Sequence, residues 1–303
     1  MKAVVLTAYG DTDKFEVREL PDPHAAPGEI VVRMTGASIN PIDWKMRSGA
    51  AKDRYPLHFP AILGQDVSGE VIELGKGVGA FAVGDRVLGL VWGGGYAERV
   101  AASADAWAKI PSGLDVAEAG ALPLVLLTGA QLVEDAVKPA EGSTILVTGA
   151  VGNVGRVAVF AAKKRGVRVW AGVRSGQRSE ASKLGVVGVV AIDDDTDLAK
   201  LPTLDSIADT VGGETITRLY RKLRPGGVLG SVLGEPAGAK ERGVVVHALL
   251  TQRSSRMLAD YSAAVAQRKL EIPISRKMPL AQAADAQKFA ERQHPNGKVL
   301  LLG

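Results

Sequence analysis

The sequence predicts an α/β fold in which a small antiparallel β-barrel domain carries an inserted, doubly wound parallel sheet. Three observations support this prediction: closely spaced short strands with glycine turns at the start, strands alternating with helices in the middle, and a return to short strands at the end. Closely spaced strands indicate an antiparallel barrel or sandwich, whereas alternating strands and helices indicate a parallel sheet. A chain of 303 residues is long enough for two domains.

The first part of the chain, to about residue 110, consists of short strand patterns joined by turns. In "EIVVRMTGA", Ile30, Val32 and Met34 share one face because side chains alternate along a strand. The segments "SGEVIEL", "DRVLGLV" and "YAERVAA" follow, separated by glycine-containing turns. This spacing predicts a compact barrel or sandwich.

The middle of the chain changes to alternating strands and helices. "STILVTGA" is a short apolar strand, and a helix is predicted from about Asn153 to Arg165, because apolar residues recur at i, i+3, i+4 and i+7. "VRVWA" is the next strand, and further strands follow with helical or polar connections. After Ser254 a helical stretch runs to about Lys269, and the last segment returns to short strands. The C-terminal part is therefore expected to rejoin the first domain.

Composition narrows the class of protein. The chain has no cysteine, so disulfides and thiolate metal sites are excluded. Its net charge of +4 is too small for its length to imply nucleic acid or membrane binding, although the pI of about 9.2 keeps a nucleic-acid binder as an alternative. The apolar run in the start "MKAVVLTAYG" is too short for a secretory signal. The segment "AGALPLVLLTGA" is too short to span a membrane. A cytoplasmic protein without nucleic-acid or membrane partners is expected.

The segment "TILVTGAVGNVG" predicts a phosphate-binding loop between a strand and a helix. In the dinucleotide fingerprint, Gly152 lets the backbone approach a pyrophosphate and Gly155 lets the helix pack on the strand. Asn153 and Val154 open the helix, whose unpaired N–H groups attract phosphate. The alternative is a tight strand-to-helix turn with no ligand.

The segment "AGVRSGQR" follows the second strand, where an NAD site would carry an acidic residue and an NADP site a cation. Between positions 163 and 178 there are six basic residues and no acidic one. Arg174, Ser175 and Arg178 lie past the carboxyl end of the strand, and guanidinium groups suit phosphate. These residues predict NADP(H), the alternative being a solvated basic face.

Several longer strings resemble a known family: "NPIDWKMRSG", "GQDVSGEV", "GDRV", "GGGYAERV", "LPLVLLTGAQ" and the closing "GKVLLLG". Together they resemble the medium-chain dehydrogenase/reductase superfamily, essentially end to end, and within it the zinc-free quinone oxidoreductase branch. The resemblance implies a GroES-like catalytic domain over residues 1–115 and 270–303 and an inserted Rossmann domain over residues 116–269. It also implies a homodimer.

The resemblance further implies that no catalytic metal is bound. Zinc-dependent members of the superfamily place a cysteine ligand where this chain has Asn40, and a His-Glu pair where it has Gln65 and Asp66. Neutral amides are poor ligands for a divalent cation, and one carboxylate cannot complete a tetrahedral zinc site.

The resemblance also implies catalytic and cofactor residues. Asn40 matches an asparagine near the nicotinamide, Tyr55 a tyrosine that lines the substrate cleft, and Thr128 a threonine near the nicotinamide. The alternatives are an Asn-Pro turn for Asn40, plain packing for Tyr55, and a hydroxyl bonded to its own helix backbone for Thr128. Because ligands of such sheets bind at the carboxyl ends of strands, the backbone at the ends of the fifth and sixth strands is also expected to contact the nicotinamide. These contacts are Val232, Gly234 and Leu249.

One residue departs from the resemblance. Close members carry an aromatic residue near the adenine just after the third strand of the inserted domain, and this chain has Asp193 there. Loss of stacking is expected to weaken cofactor affinity or to change the adenosine contacts.

These observations predict an NADPH-dependent, zinc-independent oxidoreductase that transfers hydride to a quinone or an α,β-unsaturated carbonyl compound. A neutral donor such as Asn40, aimed at the carbonyl oxygen, would lower the barrier. The alternatives are a non-catalytic NADPH-binding redox sensor, a zinc-free alcohol dehydrogenase and an enoyl-thioester reductase.

Overall fold

The computed structural model describes residues Met1–Gly303, and the chain folds into two units. The first unit comprises Met1–Leu124 and Arg253–Gly303, and the second comprises Val125–Gln252. The predicted insertion of one α/β unit into a strand-rich unit is confirmed, but this division differs from the predicted boundaries at residues 116 and 269.

The first unit begins with eight strands and two helices. In chain order they are β1 (Lys2–Leu6), β2 (Phe15–Glu19), β3 (Glu29–Ser38), α1 (Pro41–Ser48), β4 (Ala61–Ile62), β5 (Asp66–Leu74), β6 (Arg86–Leu90), β7 (Arg99–Ser103), β8 (Trp107–Lys109) and α2 (Val116–Ala119). Helix α2 belongs to this unit because it packs on β3 and β5. The Ser68 hydroxyl donates to the Val116 carbonyl over 2.5 Å, and a Cβ at Gly36 would lie 2.1 Å from the Ala117 oxygen.

The second unit is built around one parallel sheet. Its elements are α3 (Pro123–Gln131), which begins at the boundary, β9 (Thr144–Thr148), α4 (Asn153–Lys164), β10 (Arg168–Val173), α5 (Arg178–Ser182), β11 (Gly188–Ala191), α6 (Asp195–Leu198), β12 (Leu204–Asp209), α7 (Gly213–Leu219), β13 (Leu223–Ser231) and β14 (Val245–Ala248). The six strands pair in the order β11-β10-β9-β12-β13-β14, and every pair is parallel. This is the Rossmann order, with its switch between β9 and β12. The helix predicted from Asn153 is confirmed as α4.

The chain then returns to the first unit through α8 (Ser255–Ala266), β15 (Ile274–Pro279), α9 (Ala283–Gln293) and β16 (Lys298–Leu302). Strand β16 pairs antiparallel with β3, so the last strand enters a sheet of order β15-β16-β3-β5-β6-β8, and β7 also pairs with β3. A three-stranded sheet of order β2-β1-β4 completes the unit. No helix of the structure is both long and apolar enough to cross a membrane.

Each unit has its own apolar core. In the first, the side chains of Trp107, Tyr96 and Ile30 are completely buried. In the second, Ile207 and Leu229 from neighbouring strands are buried in a core that helices cover. Burial of this kind is the main stabilising contribution to both units.

Candidate active site

The glycine loop lies at the carboxyl end of β9, at the switch in strand order. Gly149 has a φ of +62°, and a Cβ there would lie 2.5 Å from the Thr210 hydroxyl oxygen. A Cβ at Gly155 would lie 2.0 Å from the Gly149 carbonyl oxygen, so only glycine lets α4 pack this closely. Gly152 caps α4, and its own Cβ would meet only the Gly149 oxygen, at 3.1 Å. The first N–H groups of α4, including those of Asn153 and Val154, have no partner within the helix.

A buried carboxylate organises the neighbouring loop, and sequence reasoning missed it. Asp209, at the end of β12, is fully buried and accepts hydrogen bonds from the hydroxyls of Thr148 (2.7 Å) and Ser231 (3.1 Å). It also accepts the backbone N–H of Gly212 at 3.0 Å. Asp209 thus ties the ends of three strands together beside the glycine loop. The signal in the sequence was an aspartate that closes the strand segment "LDSIAD".

Past the end of β10, a residue predicted to bind phosphate contacts an acidic side chain. Ser175 donates its backbone N–H to both carboxylate oxygens of Asp193, at 3.0 and 3.2 Å, and its hydroxyl to one of them at 2.9 Å. The bond from the Ser175 hydroxyl lowers the pKa of Asp193 below its ordinary value, with a smaller contribution from the positive charge of Arg174. The Arg174 side chain is exposed.

Arg178 is engaged in an ion pair. Its guanidinium donates to the carboxylate of Asp197, which also accepts from Lys200 (2.9 Å) and from the backbone N–H of Ala191. The Ala191 bond, followed by the bond from Lys200, lowers the pKa of Asp197. Arg178 therefore holds α5 to a buried aspartate, and its role toward phosphate stays a prediction.

The remaining predicted cofactor residues of the second unit are Thr128, which lies within α3, and three residues that follow the ends of β13 and β14. The Thr128 hydroxyl lies 2.8 Å from the Thr251 hydroxyl, so it bonds across the unit and not to its own helix backbone. Val232 donates its N–H to the Asp209 carbonyl, and Leu249 donates to the Ser231 carbonyl. Gly234 has a φ of +94° and open space beside it.

In the first unit, Asn40 is buried at the start of α1, and its amide is held at both ends. Its Nδ2 donates to Asp66 Oδ2 at 2.8 Å, and its Oδ1 accepts from Lys298 Nζ at 2.5 Å. Its backbone N–H donates to Asp43 Oδ2 at 2.8 Å, so Asp43 caps the helix. The Nδ2 group carries two N–H donors, and the contact with Asp66 uses one of them.

Lys298 is a second residue that sequence reasoning missed. Its ammonium, 3% exposed, lies 3.2 Å from Asp66 Oδ2. Asp66 is also bound by the Ser38 hydroxyl at 2.8 Å and by the Leu124 N–H at 2.7 Å. An internal ammonium ion thus neutralises the carboxylate of Asp66. Lys298 is the first residue of β16, in the segment "GKVLLLG". No local sequence pattern indicates that it contacts Asp66.

Asp43 belongs to a buried polar cluster below α1. The Tyr96 hydroxyl donates to Asp43 Oδ2 at 3.0 Å, and both side chains are fully buried. Burial raises the pKa of Asp43 to about 7, against the opposing bonds from Asn40 and Tyr96. Burial also raises the pKa of Tyr96 well above its ordinary value.

Tyr55 lies in the turns after α1. It is half-buried against the core of the first unit, its N–H donates to the Ala51 carbonyl, and the Arg54 guanidinium lies 5.8 Å from its ring centre. These contacts agree with a packing role, and its role toward substrate stays a prediction.

Comparison with known proteins supports the reading of both units. A family model described as the alcohol dehydrogenase GroES-like domain matches residues 26–112, and one described as zinc-binding dehydrogenase matches residues 184–301. A chloroplast envelope quinone oxidoreductase homolog of Arabidopsis thaliana is 37% identical over 180 residues, which cover 56% of this chain and 55% of that protein. The acryloyl-coenzyme A reductase of Metallosphaera sedula is 27% identical over 99% of both chains. The chain spans about half the length of several curated relatives that it matches.

Solved structures resemble the whole chain. The quinone oxidoreductase from Coxiella burnetii has a TM-score of 0.89 and 29% identity, with 100% of this chain and 99% of that chain covered. A mycobacterial protein solved in complex with NADPH has a TM-score of 0.86 and 26% identity, with 100% of both chains covered.

A GroES-like sheet domain that carries an inserted Rossmann unit defines a class of oxidoreductase enzymes, and the names of these relatives agree with that class. The chain belongs to the medium-chain dehydrogenase/reductase superfamily, in its quinone oxidoreductase-like branch.

Proposed function

We propose that the protein is an NADP(H)-dependent oxidoreductase that transfers hydride, without a catalytic metal ion, to a quinone or an α,β-unsaturated carbonyl compound. The observation that carries the proposal is the glycine loop at the strand-order switch, where Gly155 packs on Gly149 with no room for a side chain. Loops of this geometry hold dinucleotide phosphates on a helix N-terminus.

The proposed preference for NADP(H) depends on Arg174, which is exposed beside the end of β10. A guanidinium there would meet the 2′-phosphate with charge-assisted hydrogen bonds. The mycobacterial structural neighbour solved with NADPH supports this choice. Ser175 and Arg178 extend the proposed contact, although each already has an acidic partner.

The proposed absence of a metal rests on Lys298. Its ammonium and the Ser38 and Asn40 donors all reach one oxygen of Asp66. The ammonium would repel a divalent cation at Asp66. The neighbouring Asn40 and Gln65 are neutral amides, which are poor ligands for such a cation. The cluster therefore favours a site in which Asn40 acts as a hydrogen-bond donor.

The nicotinamide supplies the hydride when it is bound. For this chain's own residues, we propose that Asn40 donates its remaining N–H to the substrate oxygen that gains negative charge. Lys298 and Asp66 hold the amide in the required orientation. Tyr55 is the proposed second polar contact of the substrate.

Enoyl-thioester reduction is a second candidate, because the acryloyl-coenzyme A reductase of Metallosphaera sedula matches 99% of the chain. Hydride would again be delivered to a carbon conjugated with a carbonyl group. The two candidates differ in the acceptor and not in the proposed roles of Asn40 and Arg174.

The experiment is a parallel titration of the purified, chelator-treated protein with NADPH and NADH, followed by addition of quinones, enals and an enoyl-coenzyme A. Tighter binding of NADPH with oxidation on adding one acceptor class supports the proposal. Saturable binding without oxidation by any of these acceptors favours a sensor. In Asn40→Ala, turnover is expected to fall on the order of a hundredfold with little change in the NADPH dissociation constant.

We also propose that the protein forms a homodimer through β14. This strand is one of the two outer strands of the parallel sheet, and Val245 on it and Leu250 just after it are each 43% exposed. Exposed apolar side chains on an edge strand favour pairing with another chain. Light scattering tests the proposal, since Val245→Glu is expected to shift a dimer toward monomer.

A further inference from the structure

Asp193 lies beside the segment proposed to bind the 2′-phosphate, and its carboxylate accepts hydrogen bonds from Ser175. Both the N–H and the hydroxyl of Ser175 donate to it, over 2.9 to 3.2 Å. The basic segment that precedes it, Arg174–Arg178, contains no acidic residue, so this anion reaches the segment only through the fold. Strand β11 delivers it because β11 pairs in parallel with β10, which brings the ends of both strands to one edge.

The charge on this carboxylate matters because the phosphate is also an anion. Its bonds from Ser175 favour the ionised form, so Asp193 carries a negative charge at neutral pH. A ribose phosphate of about two negative charges needs the same kind of donors and the same neighbouring guanidinium. Two anions cannot share these donors without repulsion, whereas the ribose hydroxyls of NADH can donate to a carboxylate.

We propose that Asp193 is a specificity-determining residue that limits the preference of this protein for NADP(H) over NAD(H). It occupies the Ser175 donors and partly neutralises Arg174, so a 2′-phosphate must displace it or bind against its charge. The proposal rests on the proposed function, since it assumes that a nicotinamide dinucleotide binds at this edge of the sheet. It adds a residue that opposes the basic segment.

A comparison with Asp197, the other carboxylate near the basic segment, shows why the proposal concerns Asp193. Asp197, the carboxylate that pairs with Arg178, is buried and accepts from three groups, including the backbone N–H of Ala191. Asp193 is exposed and bonded to Ser175, so it can rotate away or be replaced without opening the core. Asp197 is therefore part of the fold, whereas Asp193 acts on the ligand.

The test compares the wild-type chain with Asp193→Asn and Asp193→Ala. The asparagine removes the charge and keeps a hydrogen-bond acceptor for Ser175, and the alanine removes both. The matched control is Asp195→Asn, which makes the same charge change two residues away, at a carboxylate that pairs with Arg218. Dissociation constants for NADPH and NADH are measured for each protein by fluorescence titration, and thermal unfolding checks that each variant is folded.

In Asp193→Asn the NADPH dissociation constant is expected to fall about tenfold, while that for NADH changes less than about twofold. Asp193→Ala is expected to change the ratio of the NADPH to the NADH dissociation constant in the same direction. Asp195→Asn is expected to leave that ratio within about twofold of the wild-type value. An unchanged ratio in both Asp193 variants, or equal weakening of both nucleotides, would overturn the proposal for Asp193 alone. If the wild-type chain and every folded variant bind neither nucleotide, the proposed function fails and this proposal with it.

Discussion

The ammonium of Lys298 lies 3.2 Å from the carboxylate of Asp66, and the two side chains are 3% and 0% exposed. Strand β16 therefore contributes a buried cation to a carboxylate at the start of β5. A buried charge without a partner is costly, so each residue depends on the other.

Lys298→Met is expected to lower the free energy of unfolding by about 3–5 kcal/mol, because Asp66 is left buried without its counter-ion. Guanidinium unfolding measures the change. The double variant Asp66→Asn, Lys298→Met removes both charges and should recover part of the loss. The control is Lys277→Met, which breaks a half-exposed pair with Glu118 and should cost at most about 1 kcal/mol. Equal losses in both single variants would contradict the buried-pair interpretation.

Stability should depend on pH through Asp43. Burial raises its pKa from 3.8 in the unfolded chain to about 7 in the folded protein. Below the lower value both states are protonated. Between the two values the folded state keeps a proton that the unfolded chain releases, so the free energy of unfolding falls as pH rises and is fully reduced above about 7.

In Asp43→Asn this fall between the two pKa values should be absent, because asparagine does not titrate. Unfolding titrations at a series of pH values would measure the slope for both proteins. Tyr96→Phe is the informative companion, since losing the hydroxyl bond to Asp43 should raise the pKa of that carboxyl further. A slope that survives in Asp43→Asn would have to come from another group.

Gly155→Ala should disrupt the phosphate loop, because the new Cβ would lie 2.0 Å from the Gly149 carbonyl oxygen. Overpacking of this kind costs about 1–3 kcal/mol or more and forces the backbone to shift. Both NADPH and NADH should bind more weakly, since both use the pyrophosphate site. Gly79→Ala, where nothing lies within 4 Å, is the stability control. Unchanged nucleotide binding in Gly155→Ala would argue against a ligand on this loop.

Arg174→Ala should raise the NADPH dissociation constant about tenfold to a hundredfold and leave that of NADH nearly unchanged. The reason is that only NADPH carries the phosphate that the guanidinium would bind. Arg178→Ala serves as comparison, because its ion pair with buried Asp197 predicts a loss of stability as well. Equal weakening of both nucleotides in Arg174→Ala would refute a 2′-phosphate role.

Much of the fold could be predicted because its signals are local. The glycine loop before Asn153 gave the start of α4, and the alternation of strands and helices gave the parallel sheet. The place of helix α2 in the first unit depends on packing against β3 and β5, which no local pattern records.

The site was harder to predict, since its polar contacts join distant parts of the chain. Lys298 and Asp66 are brought together by strand pairing, and Asp209 meets Thr148 and Ser231 across three strands. His247 illustrates the same limit: it lies in the run "VVVHALL", yet the outer position of β14 leaves it exposed. Periodicity identifies which face is apolar, but not which strand is outermost.

The pairing of β16 with β3 also bears on the order in which the chain folds during synthesis. The ribosome makes β3 before the second unit and β16 after it. The second unit can therefore close its own sheet before the first unit receives the strand that carries Lys298. Until β16 is made, Asp66 has no ammonium partner. A partly synthesised chain can then have a complete sheet in the second unit and an incomplete sheet in the first.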